Sequence, residues 1–161
     1  MDLSTMDARK GLAAKYAAKY GLSPALVAAV IDHETGGTWD SYTTRNEDAF
    51  FGRYVFDEQS QQYKIVIPPD SIRSRSTEAR TRAMSFGLMQ VIGETAREMG
   101  LASRYITSLC DPDIGVDLGC KVLKSKIDAA GGDISGGLSR YNGGSDPTYA
   151  PAVLALVAKY E

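Results

Sequence analysis

The chain has 161 residues, 43% of them hydrophobic and 24% charged, with a formal net charge of −2. That length suits one domain spanning 1–161 with a real core, and the charge balance leaves no broad basic surface for nucleic acid. The longest apolar run, "ALVAAVI" at 25–31, is far short of the roughly 20 residues a bilayer requires, so no membrane insertion is expected.

The opening "MDLSTMDARKGL" has no basic start followed by an apolar stretch, so no signal peptide is expected. Residues 5–20 carry Leu12, Tyr16 and Tyr20 at four-residue spacing and stop at Gly21, which predicts a helix. Ser23-Pro24 opens a second helix, and Gly36-Gly37 closes it. Residues 40–83 break the helical pattern. There "AFFGRYVF" and "YKIVI" are aromatic and β-branched, and the polar "DEQSQQ" between them predicts a β-hairpin ended by Pro68-Pro69. The arginine-rich "SIRSRSTEARTRA" after it is expected to be a solvent-facing loop or a short helix. Further helices are expected at 94–99 and at 112–129, the latter opened by Asp111-Pro112 and stopped by Gly131-Gly132. Asp133 is expected to cap a short helix through Asn142, and Asp146-Pro147 leads into the last one. At about 1.5 Å of rise per residue, a helix from 112 holds Cys110 and Cys120 more than ~12 Å apart. A disulfide needs about 4.4–6.8 Å, so two free, packed thiols are expected. With no Cys or His neighbours in the sequence, no metal site is expected either.

Val27, Val30, Ile31 and Glu34 fall at i, i+3, i+4 and i+7 of the second helix, on one face. A carboxylate on that face would be desolvated, which raises its pKa and suits it to general acid work. The alternative is a surface glutamate in a last helical turn, or one paired with an arginine. Asp32 and His33 point elsewhere on the wheel, and His33 reads as incidental. Two further stretches bear on Glu34. In "SFGLMQVIGETAREMG" (85–100), Gly87 permits close backbone approach and Gln90 can both donate and accept. In "SRYNGGSDP" (139–147), an aromatic–amide pair precedes two glycines. Taken alone, the first reads as a packed turn with Leu88 and Met89 in the core, and the second as a helix C-cap.

Glu-Thr-Gly after an apolar helix, Gly-Leu-Met-Gln, Asp-Pro with Gly119 in the helix that follows, and Tyr-Asn-Gly-Gly occur in this order across 22–144. The set resembles the lytic transglycosylase SLT family and the related goose-type lysozymes. The resemblance implies a mainly α (α+β) lysozyme-like fold, a helical body with a small β-hairpin insertion. It implies cleavage of the β-1,4 bond between N-acetylmuramic acid and N-acetylglucosamine in bacterial peptidoglycan, without a cofactor. Glu34 then takes the place of the acid/base, Ser85, Met89 and Gln90 line the glycan groove, and Tyr141 and Asn142 face Glu34 across it. Tyr141 or Asn142 would hold the Glu34 carboxyl group or the substrate N-acetyl group. Gly136 and Gly137 depart from the family's usual Ala-Leu-Ala and suggest a looser helix. "TRNEDAFFGRYV" is similar to an Arg-x-Glu-plus-aromatic pattern of phage versions of the fold. A phage endolysin, monomeric and released to the wall with the help of a holin, is the role this implies.

Two outcomes stay open for the chemistry. A hydrolase needs a second carboxylate, about 6.5–9.5 Å away if inverting and about 5–5.5 Å if retaining. Glu47 is the candidate, with Asp40 and Asp48 behind it. A transglycosylase needs none, because the muramic acid C6 hydroxyl attacks within the substrate, and this route is favoured. A non-catalytic wall-binding or virion protein and a chitinase-like hydrolase are the rival readings. Arg73, Arg75, Arg80 and Arg82 are expected to form a solvated face or to touch acidic groups of the wall.

Overall fold

The structure is a computed structural model that describes residues 1–66 and 74–161. Its centre is helix α2, Pro24–Glu34, in which every residue from Ala25 to Asp32 is buried. A helix that is apolar all round must be enclosed on all sides. Here α1 (Met6–Tyr20) packs on one side and α8 (Tyr149–Val157) on another. The sequence pattern suggested one buried stripe. The whole helix is interior, and only its last turn emerges.

Helix α6 (Pro112–Ala129) packs against α1 and against α7 (Ile134–Tyr141), which in turn meets α8. The starts expected from capping residues are present. The Ser23 side chain accepts from the Leu26 N–H, Asp111 from Asp113 and Ile114, and Asp133 from Ser135 and Gly136. The tyrosines of α1 lie at its boundary with α6 rather than in a plain apolar stripe. Tyr16 donates to Asp113 at 2.6 Å and Tyr20 to Asp117 at 2.9 Å, beside ion pairs from Lys15 and Lys19. Gly136 and Gly137 do not loosen α7. A Cβ on Gly137 would lie 2.4 Å from Ile127 Cγ1, so the missing side chain is what lets α7 sit close on α6. Cys110 and Cys120 are free thiols.

A three-stranded antiparallel sheet flanks this body, in the order β1 (Thr44–Asn46), β4 (Met84–Phe86), β5 (Val91–Ile92). Between β1 and β4 the chain builds a small lobe. The expected hairpin is present only in part. Phe56–Asp57 (β2) pairs with Gln62–Tyr63 (β3), but Asp48–Phe50 is α-helical (α3) and Phe51–Val55 is a π-helical turn. Phe51 and Val55 are one turn apart and both buried, so the apolar spacing of "AFFGRYVF" is helical rather than alternating. They form a satellite core with Ala79 and Ala83. The expected end of the hairpin at Pro68-Pro69, and Arg73, lie outside the described residues.

The arginine-rich stretch holds the short helix α4, Arg75–Arg82, with Arg75 and Arg80 exposed as expected but Arg82 buried. Arg80 places its guanidinium 4.0 Å from the Phe51 ring centroid, and Arg75 stacks over Tyr63. Arg82 is only 8% exposed and bonds Glu78 within α4 and Glu94 on α5 (Gly93–Glu98). Arg97 of α5 also reaches Glu78, at 2.9 Å. The cations close a buried ionic cluster that fastens the lobe to the body.

Candidate active site

A cleft of about 590 Å³ runs between the body and the lobe. Glu34 opens onto it from the end of α2, Glu47 from just after β1, and Phe50 and Tyr54 from the lobe. Gln90, Lys126 and Arg140 are among its other polar lining residues.

Glu34 is the last residue of α2, and left-handed backbone at Gly36 and Gly37 (φ 57° and 82°) turns the chain away from its carboxyl group. Burial raises the Glu34 pKa, opposed by a hydrogen bond from Tyr149 and the nearby His33 and Arg45. The Tyr149 hydroxyl donates to Glu34 Oε1 at 2.5 Å. Oε2 has no partner among the described residues. The His33 ring meets Tyr149 edge-on at 4.9 Å. Tyr149 is 3% exposed, and burial pushes its own pKa upward, so it stays a neutral donor.

The resemblance gives Tyr141 or Asn142 the task of holding the Glu34 carboxyl group or the substrate N-acetyl group, and it is Tyr149 that bonds Glu34. Tyr141 lines the cleft, but its hydroxyl donates to the Met89 carbonyl at 2.6 Å. Burial, with the Glu34 charge nearby, pushes Tyr141 far above the ordinary tyrosine range. Asn142 lines the cleft at the end of α7. Met89 was expected in the groove wall and is instead fully buried, packed where Gly119 leaves α6 without a side chain. The Gly-Leu-Met-Gln turn places Leu88 and Met89 in the core and Gln90 in the cleft. Gly87 (φ 73°) can only be glycine here, because a Cβ would lie 2.2 Å from the Leu109 carbonyl oxygen. Gln90 also adopts positive φ, 46°, and its amide nitrogen donates to the Thr43 and Gly87 carbonyls at 2.9 and 2.8 Å. Its nitrogen thus braces the turn, leaving the amide oxygen to accept.

Glu47 shares the cleft with Glu34. Arg45 Nε and Ser85 Oγ both donate to Glu47 Oε1, at 2.8 and 2.5 Å. Ser85, buried and lining the cleft, is thereby committed to Glu47. Both carboxyl groups are held at one oxygen, with the other unpartnered among the described residues. Asp40 and Asp48 do not line the cleft.

Tyr149 is the residue that sequence reasoning missed. A signal existed: it lies one turn before the buried Val153, so its hydroxyl faces inward and needs a partner. Lys126 and Arg140 gave no such signal, since both look like ordinary cations in last helical turns.

A buried carboxyl group that opens onto a cleft suits acid catalysis of the kind glycan-cleaving enzymes use. Residues 11–150 match the family model "Transglycosylase SLT domain", which covers most of the chain, and the chain belongs to that family. Members are lytic transglycosylases that cleave peptidoglycan glycan strands, and that is the activity of this protein. Comparisons with curated proteins and with solved structures give no match.

Proposed function

We propose that Glu34 is the general acid/base, acting at the β-1,4 bond between N-acetylmuramic acid and N-acetylglucosamine. The observation that carries this reading is a buried carboxyl group at the cleft wall, raised in pKa, with one oxygen held by Tyr149. A carboxyl group kept protonated can give its proton to the glycosidic oxygen as the C1–O bond breaks. The resulting Glu34 carboxylate, still bonded to Tyr149, then takes the proton of the muramic acid C6 hydroxyl as that oxygen attacks C1. The products are an N-acetylglucosamine end and a 1,6-anhydro-muramic acid end. Glu47, pinned by Arg45 and Ser85, places a second carboxyl group in the cleft. That favours one other outcome, in which Glu47 activates water and the product is a reducing end. Gln90 and Asn142 line the path of the glycan.

The biological role that fits is that of a monomeric phage endolysin, reaching the wall through a holin. It is supported by the likeness of the Arg45-x-Glu47 and aromatic segment to phage versions of the fold.

Glu34→Gln keeps the shape and removes the acid. Purified protein should release 1,6-anhydro muropeptides from peptidoglycan, read by mass spectrometry, and the variant should lose at least ~10³-fold in rate. Expressed with a holin, the native chain should lyse the culture and the variant should not. Near-native release by Glu34→Gln would falsify the assignment, and reducing ends alone would move the chemistry to Glu47.

A further inference from the structure

The cleft holds five charged side chains, and two of them are unaccounted for. Arg45 is paired with Glu47. Glu34 is bonded to Tyr149 and shifted toward its neutral form. That leaves Lys126 and Arg140. Neither makes an ion pair among the described residues, although the chain as a whole carries a net charge of −2. Their neighbours in sequence do not neutralise them. Asp128 is bonded to Lys124, Asp133 caps α7, and Asp146 accepts from Thr148.

Both cations line the cleft, Lys126 half-buried and Arg140 exposed. Lys126 is one turn beyond Val122, which also lines the cleft. Arg140 precedes Tyr141 and Asn142, which line it too. Both stand in the last turn of their helices, where the negative end of the dipole favours a positive charge. The dipole helps to hold the two charges in place without cancelling them. Two like charges lining one groove favour an anion there.

We propose that Lys126 and Arg140 form the anion-binding end of the cleft and take a carboxylate of the peptide carried on the glycan strand. The proposal rests on the reading of the cleft as the glycan site. N-acetylated sugars joined by glycosidic bonds supply no charge, whereas the peptide on the muramic acid lactyl group carries free carboxylates. A guanidinium and an ammonium together suit that group, one as a planar fork and the other as a point charge.

The test measures binding in the Glu34→Gln background, so that no turnover intervenes. Three oligosaccharides are compared by calorimetry: one bearing peptides, the same one with its peptide carboxylates capped as amides, and one stripped of peptide with free lactyl carboxylates. The first should bind about 5- to 20-fold tighter than the second, and that preference should shrink as salt rises. Adding Lys126→Gln and Arg140→Gln should bring the first two within about twofold of each other. The charge-keeping pair Lys126→Arg and Arg140→Lys should retain most of the preference, which separates loss of charge from loss of fold. Equal affinity for the first two ligands, or a preference that survives the neutral double variant, overturns the proposal. Binding of the stripped strand as tight as the first moves the anion to the sugar itself and overturns the peptide assignment. Failure of Glu34 as the acid shows separately, as product formed by Glu34→Gln on the same oligosaccharides.

Discussion

Tyr149 sets how acidic Glu34 is. Burial raises the carboxyl pKa, and the tyrosine hydroxyl lowers it by bonding the charged form. In Tyr149→Phe the burial remains and the opposing bond is gone, so the pKa should climb further. In its proposed role of general acid Glu34 works while protonated, so activity falls as pH rises through that pKa. The alkaline limb of kcat/KM should therefore move upward, by about one pH unit for one hydrogen bond to a charged group. The rate at the optimum should fall as well, because the carboxylate left after proton donation has lost its support. A pH–rate profile measures both effects. An unmoved limb would show that the bond does not act on the acid. Gln90 poses a related problem of geometry. Its left-handed backbone costs on the order of 1 kcal/mol for a residue with a side chain, and the two amide bonds to Thr43 and Gly87 offset it.

Helix α4 shows why part of the molecule was hard to read from its sequence. By composition it is a solvated helix, yet Glu78, Ala79 and Arg82 are buried. The ions that make this tolerable, Glu94 and Arg97, come from α5, and nothing local to α4 announces them. Removing one member of a buried ionic cluster leaves the others unpaired. Glu78→Gln should therefore destabilise the fold by about 2–4 kcal/mol at neutral pH, measured by denaturant unfolding. Burial alone would raise the Glu78 pKa, but Arg97 and Arg82 outweigh it and hold the carboxyl below its ordinary range. A depressed folded-state pKa means that the contribution is full above the unfolded value, about 4.3 for glutamate, and is lost as pH falls through the folded one. The difference between native and variant stability should accordingly shrink below about pH 4. A pH-independent difference would point to packing rather than charge.

At the scale of the whole molecule, what was legible was local. Ser23, Asp111 and Asp133 announce their helices because a cap needs only neighbours within three residues. The end of the helix at Glu34 was legible because two glycines follow it. The pairing of Glu34 with Tyr149 was not, because the two lie 115 residues apart and no short-range pattern brings them together. In the lobe, aromatic residues at helical spacing resembled strands. A segment this short and this rich in ring side chains supports either period until its packing partners are known.

Strands β1 and β4 are register partners from Thr44 opposite Phe86 to Asn46 opposite Met84. The lobe therefore leaves and rejoins the body at adjacent points, with its own small core and its ionic fastening to α5. Joining Asn46 to Met84 through an Asn-Gly turn is sterically the shape of a two-residue hairpin. Such a shortened chain should still fold cooperatively, with Trp39 keeping its buried fluorescence, although the cleft would lose Glu47, Phe50 and Tyr54. An exposed Trp39 would show that the body depends on the lobe. A fold divided this way makes the lobe an interchangeable cassette. Inheritance could replace the lobe's side of the groove while leaving untouched the helix that ends at Glu34.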